Sequence, residues 1–107
     1  MASTINTFKS YAVDATTSGN TFYTTPSGTT TIVLLAQATN VGNSDANVTF
    51  YTSINGNTEL TKNLTIPVGD AASMLTGKLV LQAGNTMSIL ANANSVIKLT
   101  VSILETT

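Results

Sequence analysis

At 107 residues, with four lysines, five acids, a net charge of -1 and no His, Cys, Trp or Arg, the chain has room for one domain and lacks most side chains that enzymes use. Disulfides and thiolate metal sites are excluded, and the dispersed Lys9, Lys62, Lys78 and Lys98 offer no basic patch to a nucleic acid. The longest apolar run, Ile32 to Ala36, is too short to cross a bilayer as a helix, and Met1-Ala2-Ser3-Thr4-Ile5-Asn6 lacks the features of an export signal, so synthesis in a cytosol without membrane insertion is expected.

In chain order the residues read as β throughout: Thr, Val, Ile, Phe and Tyr recur in short runs punctuated by Gly, Pro and Asn. Thr7 to Val13 is a candidate strand and Asp14 to Asn20 a loop. Residues 1–20 are therefore set apart as an N-terminal arm or edge strand, and 21–107 as the β domain. Thr21 to Thr25 runs into Pro26-Ser27-Gly28, a tight turn with Pro expected at its second position. From Thr29 to Asn40 the chain is apolar on both faces, Ile32, Leu34, Ala36 and Ala38 alternating with Val33 and Leu35, which predicts a strand covered on both sides. One cover is the core. The other is a neighbouring subunit or chain segment, met by Val33 and Leu35 or else by Ile32 and Leu34.

Ala46 to Ile54 alternates strictly, with Val48, Phe50 and Ile54 predicted inward and Asn47, Thr49, Tyr51 and Ser53 outward. Asn55-Gly56 predicts a type I′ hairpin turn into Glu59 to Ile66, where Lys62 interrupts the apolar face of Leu60, Leu64 and Ile66 and snorkels at a sheet edge. After Pro67-Val68-Gly69-Asp70, short strands are expected at Met74 to Leu75 and Lys78 to Gln82. Ala83-Gly84-Asn85 then turns into Thr86 to Asn92, with Met87, Ile89 and Ala91 on one face. The last strand, Val96 to Leu104, puts Ile97, Leu99, Val101 and Ile103 on one side and Lys98, Thr100 and Ser102 on the other. Seven or eight such strands predict an all-β antiparallel sandwich, jelly-roll or Ig-like.

Asp14, Asp45, Glu59, Asp70 and Glu105 are scattered, with no spacing that pairs carboxylates for glycoside chemistry, and no serine has a histidine partner. No catalytic residue, metal ligand or cofactor is assigned, and no enzyme activity is expected. Asp70 beside Gly69 reads as a turn former rather than a cation ligand. Asn47-Val48-Thr49 and Asn63-Leu64-Thr65 match glycosylation sequons that a Thr/Asn-rich chain generates by chance. Tyr51, facing outward, joins Val33 and Leu35 as an interface candidate; a sugar-stacking role for Tyr51, Tyr23, Phe22 or Tyr11 is the lesser reading.

Taken in order, Thr25-Pro26-Ser27-Gly28-Thr29-Thr30-Thr31-Ile32-Val33, Leu64-Thr65-Ile66-Pro67-Val68-Gly69, Lys78-Leu79-Val80-Leu81-Gln82-Ala83-Gly84-Asn85-Thr86-Met87 and Val101-Ser102-Ile103-Leu104-Glu105 resemble small virion structural proteins of tailed bacteriophages, notably those of cyanobacteria. The likeness runs from Thr21 to Glu105, and departs from the family's Leu-Glu-Ala-Gly-Asp at Leu81-Gln82-Ala83-Gly84-Asn85. It implies a non-enzymatic virion component: a capsid decoration or cement protein, assembled as a homotrimer on the major capsid protein, or else a tail or neck component. A carbohydrate-binding or adhesive β-sandwich module is the alternative from another class. Neither nucleic acid nor membrane is an expected partner.

Overall fold

The computed structural model describes residues 5–107. Its strands are β1 (Asn6–Asp14), β2 (Asn20–Thr24), β3 (Thr30–Asn40), β4 (Ala46–Thr52), β5 (Thr58–Ile66), β6 (Ala71–Ser73), β7 (Leu79–Leu81), β8 (Thr86–Ala91) and β9 (Ile97–Thr106). They form two antiparallel sheets: a five-stranded one in the order β1-β9-β3-β6 with β7 also on β3, and a four-stranded one in the order β2-β8-β4-β5. The pairings nest, β1 with β9, β2 with β8, β3 with β6 and β7, and β4 with β5. A long hairpin rolled up on itself gives this order, so the sandwich is a jelly roll and not Ig-like.

The core between the sheets follows from alternation. Ile97, Leu99, Val101 and Ile103 of β9 are each fully buried, and they meet Val48, Phe50, Met87 and Ile89 from the opposite sheet in one apolar cluster. Three turns share one chemistry: Thr29, Asp70 and Asn85 donate their N–H to the carbonyls of Pro26, Pro67 and Gln82 at 3.2, 3.0 and 3.0 Å. The third residue of each is Gly28, Gly69 or Gly84, at φ +72, +76 and +87°, where a side chain would be strained. Proline thus opens two of these turns, at Pro26 and Pro67, from the first position, whereas the second was expected for Pro26.

β3 explains the two-sided apolar run. Its pairing with β9 slips between Val33, opposite Ile103, and Leu35, opposite Ser102, so one residue is bulged out. Inward positions are therefore Thr31 and Val33 before the bulge and Ala36, Ala38 and Asn40 after it, all buried. Leu34 and Leu35 are both left part-exposed, at 38 and 39%. β4 ends at Thr52, because its partner β8 begins at Thr86; Ile54 lies beyond the sheet and is 47% exposed instead of inward. Asn55 stays out of the left-handed region although Gly56 enters it at φ +62°, so no type I′ turn forms; Asn55 donates its N–H to Thr58 Oγ1 at 3.2 Å. Of the short strands expected at Met74 to Leu75 and Lys78 to Gln82, the first forms just before its expected place, as β6, and the second lies within its expected bounds, as the shorter β7.

Candidate assembly surface

The outer face of the five-stranded sheet carries an apolar row whose members come from four strands. Phe8 stands opposite Leu104, Leu104 opposite Ile32, and Ile32 opposite Val80. Leu104 points outward because Ile103 and Glu105 on either side of it are buried. Phe8 is 72% and Val80 54% exposed, Ile32 and Leu104 are half-buried, and Leu34 and Leu35 extend the band at the bulge. At the usual spacing between strands the row is roughly 15 Å across.

Polar rows border this band on both sides. Asn6, Thr106 and Thr30 flank it at one end. At the other, Ser10 and Ser102 share a hydroxyl hydrogen bond at 3.2 Å, and further out Lys98 pairs with Asp14 at 2.8 Å. An apolar centre inside a polar rim is the anatomy of a protein contact surface, and contiguous exposed apolar area of this kind marks an interaction site.

β1, which contributes Phe8, lies at the sheet edge and is exposed along most of its length. It is anchored from its inner side. Lys9 Nζ contacts Glu105 Oε1 at 2.8 Å, Tyr23 Oη donates to Glu105 Oε2 at 2.6 Å, and Tyr23 Oη also lies 2.7 Å from Thr31 Oγ1. Tyr11 of β1 packs on Tyr23 with ring centroids 5.9 Å apart. Because Tyr23 belongs to the other sheet, the cluster ties both sheets and the edge strand to one carboxylate. The hydrogen bonds from Lys9 and Tyr23 draw the Glu105 carboxyl below its ordinary value, while burial and the bond to Glu105 push the Tyr23 phenol up to about 12. The bond to Glu105 raises the Lys9 ammonium.

The three residues expected at an interface are not brought together. Val33 is fully buried between the sheets, since the bulge follows it, and is closed to any partner. Leu35 lies on the outer face of the five-stranded sheet, within the apolar band. Tyr51 is on the outer face of the opposite sheet, half-buried, with its hydroxyl against the backbone of Gly19. Phe8, Leu104 and Val80 were not singled out from the sequence. Phe8 is the lone large apolar residue among the outward positions of its strand, and only the register with β9 places it beside Leu104. Asp70 acts at its turn, accepting the Ala71 N–H at 2.8 Å. Among the described residues no three acids lie close enough together to hold a metal ion.

No protein-family model and no curated protein matches the chain. Among solved structures, a chain from Bacillus endospore appendages, described as a family of disulfide-linked pili, is similar with a TM-score of 0.51 at 12% identity, over 98% of this chain and 89% of that one. At that identity the likeness is one of fold.

Proposed function

We propose that this chain is a non-enzymatic structural subunit that self-associates as a homotrimer and decorates the capsid of a tailed phage, seated on the major capsid protein. The observation that carries the reading is the apolar band of Phe8, Leu104, Ile32 and Val80, extended by Leu34 and Leu35, on the outer face of the five-stranded sheet. A folded domain gains from covering such a band, and an assembled particle supplies the cover. The jelly roll, the composition without His, Cys or Arg, and the resemblance of residues 21–105 to phage virion proteins support the same reading.

A subunit of an extracellular filament is the second reading, favoured by the structural likeness to a pilus protein. That protein belongs to a disulfide-linked family, whereas this chain has no cysteine. A filament built from it would be held by apolar and hydrogen-bonded contacts alone.

A decoration protein binds the finished shell and not its dissociated parts, so it stabilises the shell by mass action. Particles purified without it are expected to assemble, to lack its density on the head, and to release DNA at a lower temperature. Depleted particles with equally stable heads and a missing tail or neck feature would move the subunit there. Virions that never contain the protein would overturn the virion reading and leave the filament.

A further inference from the structure

The outer face of the four-stranded sheet, on the far side of the sandwich from the apolar band, holds a pocket of about 220 Å³. Asn47, Asn63, Asn92 and Thr17 form its exposed rim; buried Thr49 and half-buried Leu90 lie beneath. The two sequons meet here. Thr65 donates its hydroxyl to Asn47 Oδ1 at 2.8 Å, and Thr49 donates to Asn63 Oδ1 at 3.5 Å, so each sequon's threonine serves the other's asparagine across β4 and β5. Asn92 Oδ1 accepts the Asn47 N–H at 3.0 Å. All three carboxamide oxygens are thus engaged within the protein. Their NH₂ groups make no hydrogen bond to any described residue.

The pocket therefore offers N–H donors, an apolar floor and no charged side chain. A ligand that fits brings oxygen acceptors without charge and an apolar face for Leu90. A phosphate or carboxylate would find no cation here; each carboxamide oxygen already accepts one hydrogen bond, and a hydroxyl can turn its O–H away to solvent where a peptide's N–H is fixed beside its carbonyl. Hydroxyl and ring oxygens on a C–H-rich ring meet the requirement. We propose that this pocket is a saccharide subsite, seating one residue of a neutral glycan that crosses the sheet. Its volume, below the usual range for a drug-sized ligand, suits a single ring, and Tyr51 stands two residues further along the same face of β4. The proposal holds whether the opposite face docks on a capsid or on another copy, since both faces are usable at once.

The test is an NMR titration of the full chain with maltohexaose, cellohexaose, xylohexaose and mannohexaose, following the side-chain NH₂ signals of Asn47, Asn63 and Asn92. Saturable shifts of these signals with at least one oligosaccharide are expected, at millimolar or tighter affinity. Asn63→Asp with Asn92→Asp keeps the Oδ1 acceptors and the tolerance for the φ of +50° at Asn63, and removes two donors, so affinity should fall at least about tenfold with the backbone spectrum unchanged. Asn57→Asp, in the loop between β4 and β5, should leave binding as it was. No shift up to about 10 mM with any of the four sugars would overturn the proposal. So would equal affinity in the double variant, or shifts produced by a neutral Ala/Ser hexapeptide and not by the sugars.

Discussion

Glu105 is held by donors from two directions, and the sign of its pH dependence follows. Its folded carboxyl is drawn below the ordinary value by Lys9 and Tyr23, so its contribution to stability is present above the unfolded value near 4.5 and is lost as pH falls through the folded one. Tyr23 works in the opposite sense: with its phenol raised from 10.0 to about 12, its contribution is complete below pH 10 and disappears as pH climbs toward 12. Melting curves across pH should show both limbs. In Glu105→Gln the acid limb should flatten, and in Tyr23→Phe the alkaline one, with a loss of about 1–2 kcal/mol at neutral pH for the missing hydroxyl. An unchanged acid limb in Glu105→Gln would mean that another group governs acid unfolding. Asn40, which the sequence presents only as a strand end, is the other polar residue on which the fold depends. It is 1% exposed, donates to the carbonyls of Ser44 and Ile66 at 2.9 and 2.8 Å, and accepts the Gly42 N–H at 2.9 Å. Asn40→Ala would leave those three groups without a partner and should cost about 3 kcal/mol, seen as a drop in Tm on the order of 10–20 °C.

At the level of elements, the contrast between β9 and β3 explains how much was legible. From Ile97 to Ile103 inward and outward residues alternate without interruption, so the pattern alone assigns each face, and the structure agrees. Val101→Asp would bury an unpaired carboxylate beside Leu99 and Ile103, a cost of several kcal/mol against a total of about 5–15, and soluble folded protein should be lost. Ser102→Asp, one residue along on the outer face, should fold. Circular dichroism of the two purified variants checks this, and equal tolerance of both would contradict the alternation. β3 was misread in its facing because a bulge inside a run of apolar residues changes the parity with no change in composition: Val33 and Ala36 both face in, three residues apart. The hairpin between β4 and β5 was misread for a related reason, since where a strand stops depends on where its partner begins. The apolar band was out of reach for the same cause. Its members are far apart in sequence, and only the pairing of β1, β9, β3 and β7 aligns them.

For the whole molecule, the jelly roll separates two surfaces. One sheet turns an apolar band outward, and the other a neutral polar pocket. Charge has little part in the first: the Lys98–Asp14 pair lies at the margin of that face, and the net charge of the chain is -1. Association through the band should therefore persist in salt, where a contact between charged patches would weaken. Sedimentation velocity on the wild-type chain and on Phe8→Ser with Val80→Ser decides the matter most directly, because both residues are exposed and their replacement leaves the core intact. The wild type is expected to sediment as an oligomer, a trimer on the reading proposed here, both at low salt and at about 0.5 M, and the double variant as a folded monomer. A wild type that stays monomeric at about 100 μM, or a double variant that associates as strongly as the wild type, would contradict the assignment of this face to assembly.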